Sequence, residues 1–217
     1  MPGTNYRCWF AFLRQPRLLL TTRLGLALVL VLLFAVNLAE TWIETWLRES
    51  SGLGLAMGYG LAETFHSLEG RLSFEQHDMT SPLAVYGYSV AYFFLTPLLG
   101  LAMAFVLALR RELTPFRVFC CSIVAAYAIS LPFFLFFPVP ERWVYPPAEA
   151  TLLSDQWTVK LIETIRPISG LDNCFPSFHV SFTVIMVLTA YLFKVRLRTV
   201  VLALGATIVL STFVLGI

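Results

Sequence analysis

Residues 173–193 read NCFPSFHVSFTVIMVLTAYLF, and this stretch decides how the chain is read. It passes from a polar loop through Pro176-Ser177-Phe178-His179 into an apolar run that carries no Asp, Glu, Lys or Arg. Such a run reads as a membrane helix. It is short of the roughly 20 residues that cross a bilayer core, so it borrows from its flanks. Ser177 stands at the N-cap position, where its hydroxyl and the first-turn N–H groups point out of the helix mouth. The helix dipole adds partial positive charge at the same place and favours an anion. His179 falls in that first turn and can gain or lose a proton near neutral pH. One short stretch thus offers an anion cradle and a proton donor, although Pro-Ser before an apolar run is also an ordinary helix start.

Outward from this segment, the composition has the same character. Of the 217 residues, 58% are hydrophobic and 13% charged, against about 25% charged in soluble domains. The apolar residues are blocked into five runs: 24–42, 85–109, 116–137, 178–193 and 199–217. Backbone polar groups in lipid must be satisfied within the segment, so these runs are helices and not an open sheet. The predicted fold class is all-α: a polytopic membrane helical bundle of about five spans, formed as a single domain over residues 1–217.

The charges orient the spans. Arg7, Arg14, Arg17 and Arg23 precede the first run. Arg110, Arg111 and Arg117 lie at the second turn, and Lys194, Arg196 and Arg198 lie between the last two runs. Ten of the fifteen basic residues therefore share one side, with Glu112 as its acid. By the positive-inside rule the N-terminus is cytoplasmic and the 173–179 loop is extracytoplasmic. The first run reads as a span and not a cleaved leader, because its basic lead is long and Asn37-Leu38-Ala39 is a poor cleavage site. Net charge is only +2, and the bases form membrane-edge clusters without interleaved aromatics, so no nucleic-acid partner is expected. The four cysteines have neither disulfide nor zinc spacing. Cys8 and Cys174 are predicted on opposite membrane faces, and Cys120 and Cys121 read as small packing residues.

Two outer loops carry the remaining content. In residues 43–84, Trp46 and Tyr59 suit the headgroup zone together with Trp42. Leu61, Phe65, Leu68 and Leu72 recur at helical spacing and predict an interfacial amphipathic helix. Gly52, Gly54, Gly58 and Gly60 fail as a nucleotide loop, since Met57 stands where a glycine is needed. Gly54 and Gly58 have helix-contact spacing but lie outside a clear span. His66 and His77 lack ligand spacing and read as solvated or interfacial. Residues 138–177 open with Pro138, Pro140, Pro146 and Pro147, which stop the preceding helix. Arg142, Lys160 and Arg166 follow in the same loop as Ser177 and His179. The planar fork of arginine suits phosphate. No ionisable residue stands in the middle of an apolar run, which argues against an ion pathway.

At Pro176-Ser177-Phe178-His179 the chain resembles the type 2 phosphatidic acid phosphatase superfamily. With Asn173-Cys174-Phe175 ahead of it, the segment looks most like the inositolphosphotransferase branch that includes inositol phosphorylceramide synthases. The family pattern is Lys-x6-Arg-Pro, Pro-Ser-x-His and Ser-Arg-x5-His-x3-Asp. The second motif is present in full. Arg166-Pro167 resembles the end of the first, with five residues between Lys160 and Arg166, and Arg142 is a rival for that position. The third is absent from residues 1–217, so the chain is expected to be truncated before its nucleophile and to turn over little by itself. The resemblance implies a lipid phosphatase or phosphotransferase acting on a phospholipid or sphingolipid phosphate ester, without a metal or other cofactor. A third-motif histidine attacks phosphorus in such enzymes, and His179 matches the residue that protonates the leaving alcohol. Ser177, Arg166, Lys160 and Arg142 are the expected phosphate-binding residues. A non-catalytic membrane fragment that binds lipid phosphate and a small transporter or scaffold are the alternatives. Membrane lipids are the expected partners, and the sequence leaves the oligomeric state open.

Overall fold

The computed structural model describes residues 20–52, 55–70, 87–139 and 175–215, and every regular element among them is helical. In chain order these are α1 (Arg23–Ser51), α2 (Leu55–Gly70), α3 (Gly87–Ala108), α4 (Thr114–Phe136), α5 (Phe178–Leu192) and α6 (Arg198–Leu215). A π-helical turn, Ala91–Leu95, interrupts α3. α1, α3 and α4 are long and apolar enough to cross a membrane, and α5 and the apolar part of α6 are shorter. The five apolar runs therefore each form a helix, and a sixth helix falls where the 61–68 spacing predicts one. Leu72, at the end of that spacing, lies outside the described residues.

Two arginines tie one end of the bundle together. The Arg23 guanidinium donates to the carbonyls of Arg110 and Arg111 at 2.5 and 3.1 Å. Arg110 in turn donates to the carbonyls of Phe193 and Lys194 at 2.7 and 3.3 Å. The start of α1, the α3–α4 turn and the α5–α6 turn thus meet at one end, and successive spans run antiparallel. Next to this basic end lies a largely apolar core that includes Leu26, Leu107, Phe116, Phe119, Met186 and Val201, with Thr189 of the last turn of α5 buried at the same end. The opposite half of the bundle is different. Glu40, Thr41, Glu44, Ser89, Ser130, Ser211 and Thr212 are all buried there.

α1 is longer than its apolar run predicts. The segment after Trp42 contains good helix formers, and Glu44 and Arg48 stand at i,i+4, where opposite charges support a helix. It ends in a left-handed cap: Gly52 has φ 61° and its N–H donates to the Arg48 carbonyl at 3.0 Å, a conformation that favours glycine. The extension brings charge into the interior. Arg48 donates to Glu44 at 3.1 Å and to the carbonyls of Phe134 and Leu135 at 2.6 and 3.1 Å. Those carbonyls belong to the last turn of α4, where no intrahelical N–H reaches them, so Arg48 caps α4 from the side. Tyr127 of α4 donates to Glu40 at 3.4 Å. Glu40, near the end of the first apolar run, and Glu44, beyond it, are each only 3% exposed, so the α1–α4 interface is charged at its polar end.

Small residues permit the closest approaches. A Cβ on Gly58 would fall on the Pro138 carbonyl, so α2 lies directly against the backbone that follows α4. A Cβ on Gly100 would meet the Phe182 ring at 2.5 Å, which sets how closely α3 crosses α5. Cys120 is buried in the core and Cys121 is exposed.

Candidate functional site at the mouth of α5

The local sequence fixes the entry of α5. Pro176 cannot donate a backbone hydrogen bond, and the peptide before it is cis. Ser177 adopts the extended conformation of an N-cap, φ −64° and ψ 111°, and its hydroxyl accepts from the Val180 N–H at 3.4 Å. The Ser177 carbonyl accepts the Ser181 N–H at 3.0 Å and the Ser181 hydroxyl at 2.9 Å. Phe178 and His179 open the helix behind this cap, in the turn whose N–H groups have no upstream carbonyl within the helix.

Aromatic contacts hold the two residues that follow the cap. Phe178 meets Tyr127 edge-on, with ring centroids 5.7 Å apart, and stacks on Phe182 at 6.1 Å. His179 stacks on Tyr92, with centroids 4.2 Å apart and ring planes 24° from parallel. The Tyr92 hydroxyl and His179 Nδ1 are 3.1 Å apart, within hydrogen-bond distance. Tyr92 lies in the π turn of α3 and is 8% exposed, while His179 is half-buried. Ahead of the cap, Phe175 packs edge-on against Phe133 of α4 at 6.1 Å. Elements α3, α4 and α5 thus converge on the helix mouth. Glu40 of α1 is linked to it through its hydrogen bond with Tyr127 and the ring contact Tyr127–Phe178.

The structure brings together Ser177 and His179 of the residues singled out from sequence. Arg142, Lys160 and Arg166 lie outside the described residues, as do His77, Cys8 and Cys174. Of His66 only the backbone, in α2, is described. Sequence reasoning missed Tyr92 and the group Glu40, Glu44 and Arg48. For the charged group a signal was available: all three fall on one helical face at i, i+4 and i+8.

An apolar helical bundle of membrane type, with a capped helix mouth and a histidine in its first turn, is the class that fold and site define. The profile of the PAP2 superfamily matches residues 63–217. That is well over half the chain, and the chain belongs to the PAP2 superfamily. No curated protein and no solved structure matches it significantly. The matched segment begins within α2, so α1 and its charged face stand outside it.

Proposed function

We propose that this chain forms the membrane domain of a lipid phosphatase or phosphotransferase that acts on phospholipid or sphingolipid phosphate esters through a phospho-histidine. The observation that carries the reading is the pairing of the Ser177 cap with His179 in one helix turn, within a chain of the PAP2 superfamily. The phosphate sits at the α5 mouth, where the dipole and first-turn N–H groups meet its charge. Arg166 or Arg142, with Lys160, is assigned in this reading to bind the phosphoryl oxygens. His179 gives its proton to the leaving alcohol oxygen, because an alkoxide leaves poorly unprotonated. The attacking histidine belongs to the third family motif, which residues 1–217 do not include. Within the superfamily, the Asn173-Cys174-Phe175 lead favours the inositolphosphotransferase branch, in which a second alcohol takes the place of water.

Two assays of the protein that carries residues 1–217, in detergent with chelator present, test this reading. One follows phosphate release from short-chain phosphatidic acid. The other follows transfer of an inositol phosphate headgroup from phosphatidylinositol to ceramide. Turnover in at least one is expected. Absence of turnover in both, from protein that is folded and monodisperse, contradicts the reading.

The site faces the extracytoplasmic side in this proposal. The support is the cross-tied basic end formed by Arg23, Arg110, Arg111, Lys194 and their neighbours, which by the positive-inside rule stays in the cytoplasm. A membrane-impermeant maleimide applied to intact cells is expected to label Cys174 and spare Cys8. Labelling of Cys8 with Cys174 protected reverses the orientation.

A further inference from the structure

We infer that Tyr92 is a positioning residue for His179, accepting a hydrogen bond from Nδ1–H so that Nε2 is the nitrogen that exchanges protons with substrate. The inference rests on the proposed role of His179 as proton donor. Two contacts support it. The 4.2 Å ring stack fixes the plane of the imidazole, and the 3.1 Å approach of the hydroxyl to Nδ1 fixes its rotation about χ2. The two ring nitrogens point away from each other, so a partner on Nδ1 leaves Nε2 for the substrate side. Tyr92 is itself held, edge-on against Phe93 at 4.9 Å, in the π turn of α3, which packs on α6. Such turns occur frequently at functional sites.

Proton accounting selects which group donates. To protonate a leaving alkoxide the ring must start as imidazolium, with protons on both nitrogens. Nδ1–H then donates, and the Tyr92 oxygen accepts. As the P–O bond breaks, its electron pair goes to the alcohol oxygen, which takes the Nε2 proton. The ring is left neutral with its proton on Nδ1, still bonded to Tyr92. In the second half the bare Nε2 takes a proton from the water or alcohol that attacks the phosphorylated histidine, and the imidazolium is restored. The Tyr92 oxygen serves as acceptor throughout, so the ring need not turn between the halves. A neutral phenol also does this without adding a negative charge beside the phosphate.

The test is the tautomer of the neutral ring, read by nitrogen-15 NMR of histidine-labelled protein, with His179→Gln identifying the signal among the three histidines. The expected result is Nδ1–H with a bare Nε2, the form that an unconstrained neutral histidine disfavours. Tyr92→Phe keeps the ring stack and removes the acceptor, so the signal is expected to move toward the Nε2–H form. In turnover assays the same variant is expected to lose about 10–100-fold in kcat with KM nearly unchanged, by analogy with loss of the hydrogen-bond partner of a metal-ligating histidine. An Nε2–H tautomer in the unaltered protein overturns the inference, whatever the variant does. So does a Tyr92→Phe protein with unchanged tautomer and kcat. If the tautomer is as expected but His179→Gln retains full turnover, the positioning stands and the catalytic reading of His179 fails.

Discussion

Replacing Arg48 by alanine is expected to destabilise the protein by about 3–5 kcal/mol, the usual cost of removing one partner of a buried ion pair. Among the described residues its guanidinium donates to Glu44 and to the last-turn carbonyls of Phe134 and Leu135. The arginine side chain is 10% exposed and that of Glu44 only 4%, so solvent does little to screen the charge left behind. Glu40 lies one turn further from Arg48 and is also buried, so a second carboxylate shares this interior with Glu44. In thermal unfolding the loss corresponds to a fall of roughly 6–20 °C for a chain of this size. Changing Glu44 to Gln in the same protein is expected to recover part of it, because the buried carboxylate that had lost Arg48 is then neutral while the α4 carbonyls stay uncapped. A midpoint within about 2 °C of the unaltered protein would mean that the α1–α4 contact is not held by this group.

The second large effect is on chemistry. His179→Gln is expected to lower turnover of an alkyl phosphate ester by about 10²–10⁴-fold, the contribution of a positioned general acid. The mutation leaves the Ser177 cap in place, since the cap bonds the Val180 backbone and not the histidine. Substrate binding at the helix mouth is therefore expected to survive, and the loss should fall on kcat. A selective rise in KM with kcat intact would instead make His179 a binding group.

Much of this arrangement was legible in the sequence. The five apolar runs mark their helices because lipid demands long uncharged segments, and each forms one. The Ser177 cap was readable because Pro-Ser ahead of an apolar run leaves few other conformations. The end of α1 was not, since hydropathy falls after Trp42 while helix propensity does not. A reading by apolarity stops there, whereas the backbone continues to Gly52. Tyr92 was hidden for another reason. An aromatic residue near the end of an apolar run looks like a headgroup-zone anchor, and only the crossing of α3 and α5 brings it onto His179. Gly58 belongs to the same class: its spacing was visible, but its partner is a proline backbone about 80 residues away, which no local pattern encodes. Arg166, or its rival Arg142, and Lys160, expected to bind phosphate with Ser177 and His179, lie outside the described residues.

The central claim is that His179 protonates a leaving alcohol at a phosphate-binding helix mouth, and leaving-group dependence tests it most directly. The ratio kcat/KM, which reports only the steps up to departure of the leaving group, should be compared for a short-chain alkyl phosphate and a p-nitrophenyl phosphate ester in the unaltered protein and in His179→Gln. Nitrophenolate departs without a proton, so the acid matters little for the second substrate. The account predicts a loss of about 10²–10⁴-fold on the alkyl ester and a much smaller loss on the nitrophenyl ester. Equal losses on both would contradict it, because they would place His179 in phosphate binding, in attack on phosphorus or in the fold, and not in protonation of the leaving group.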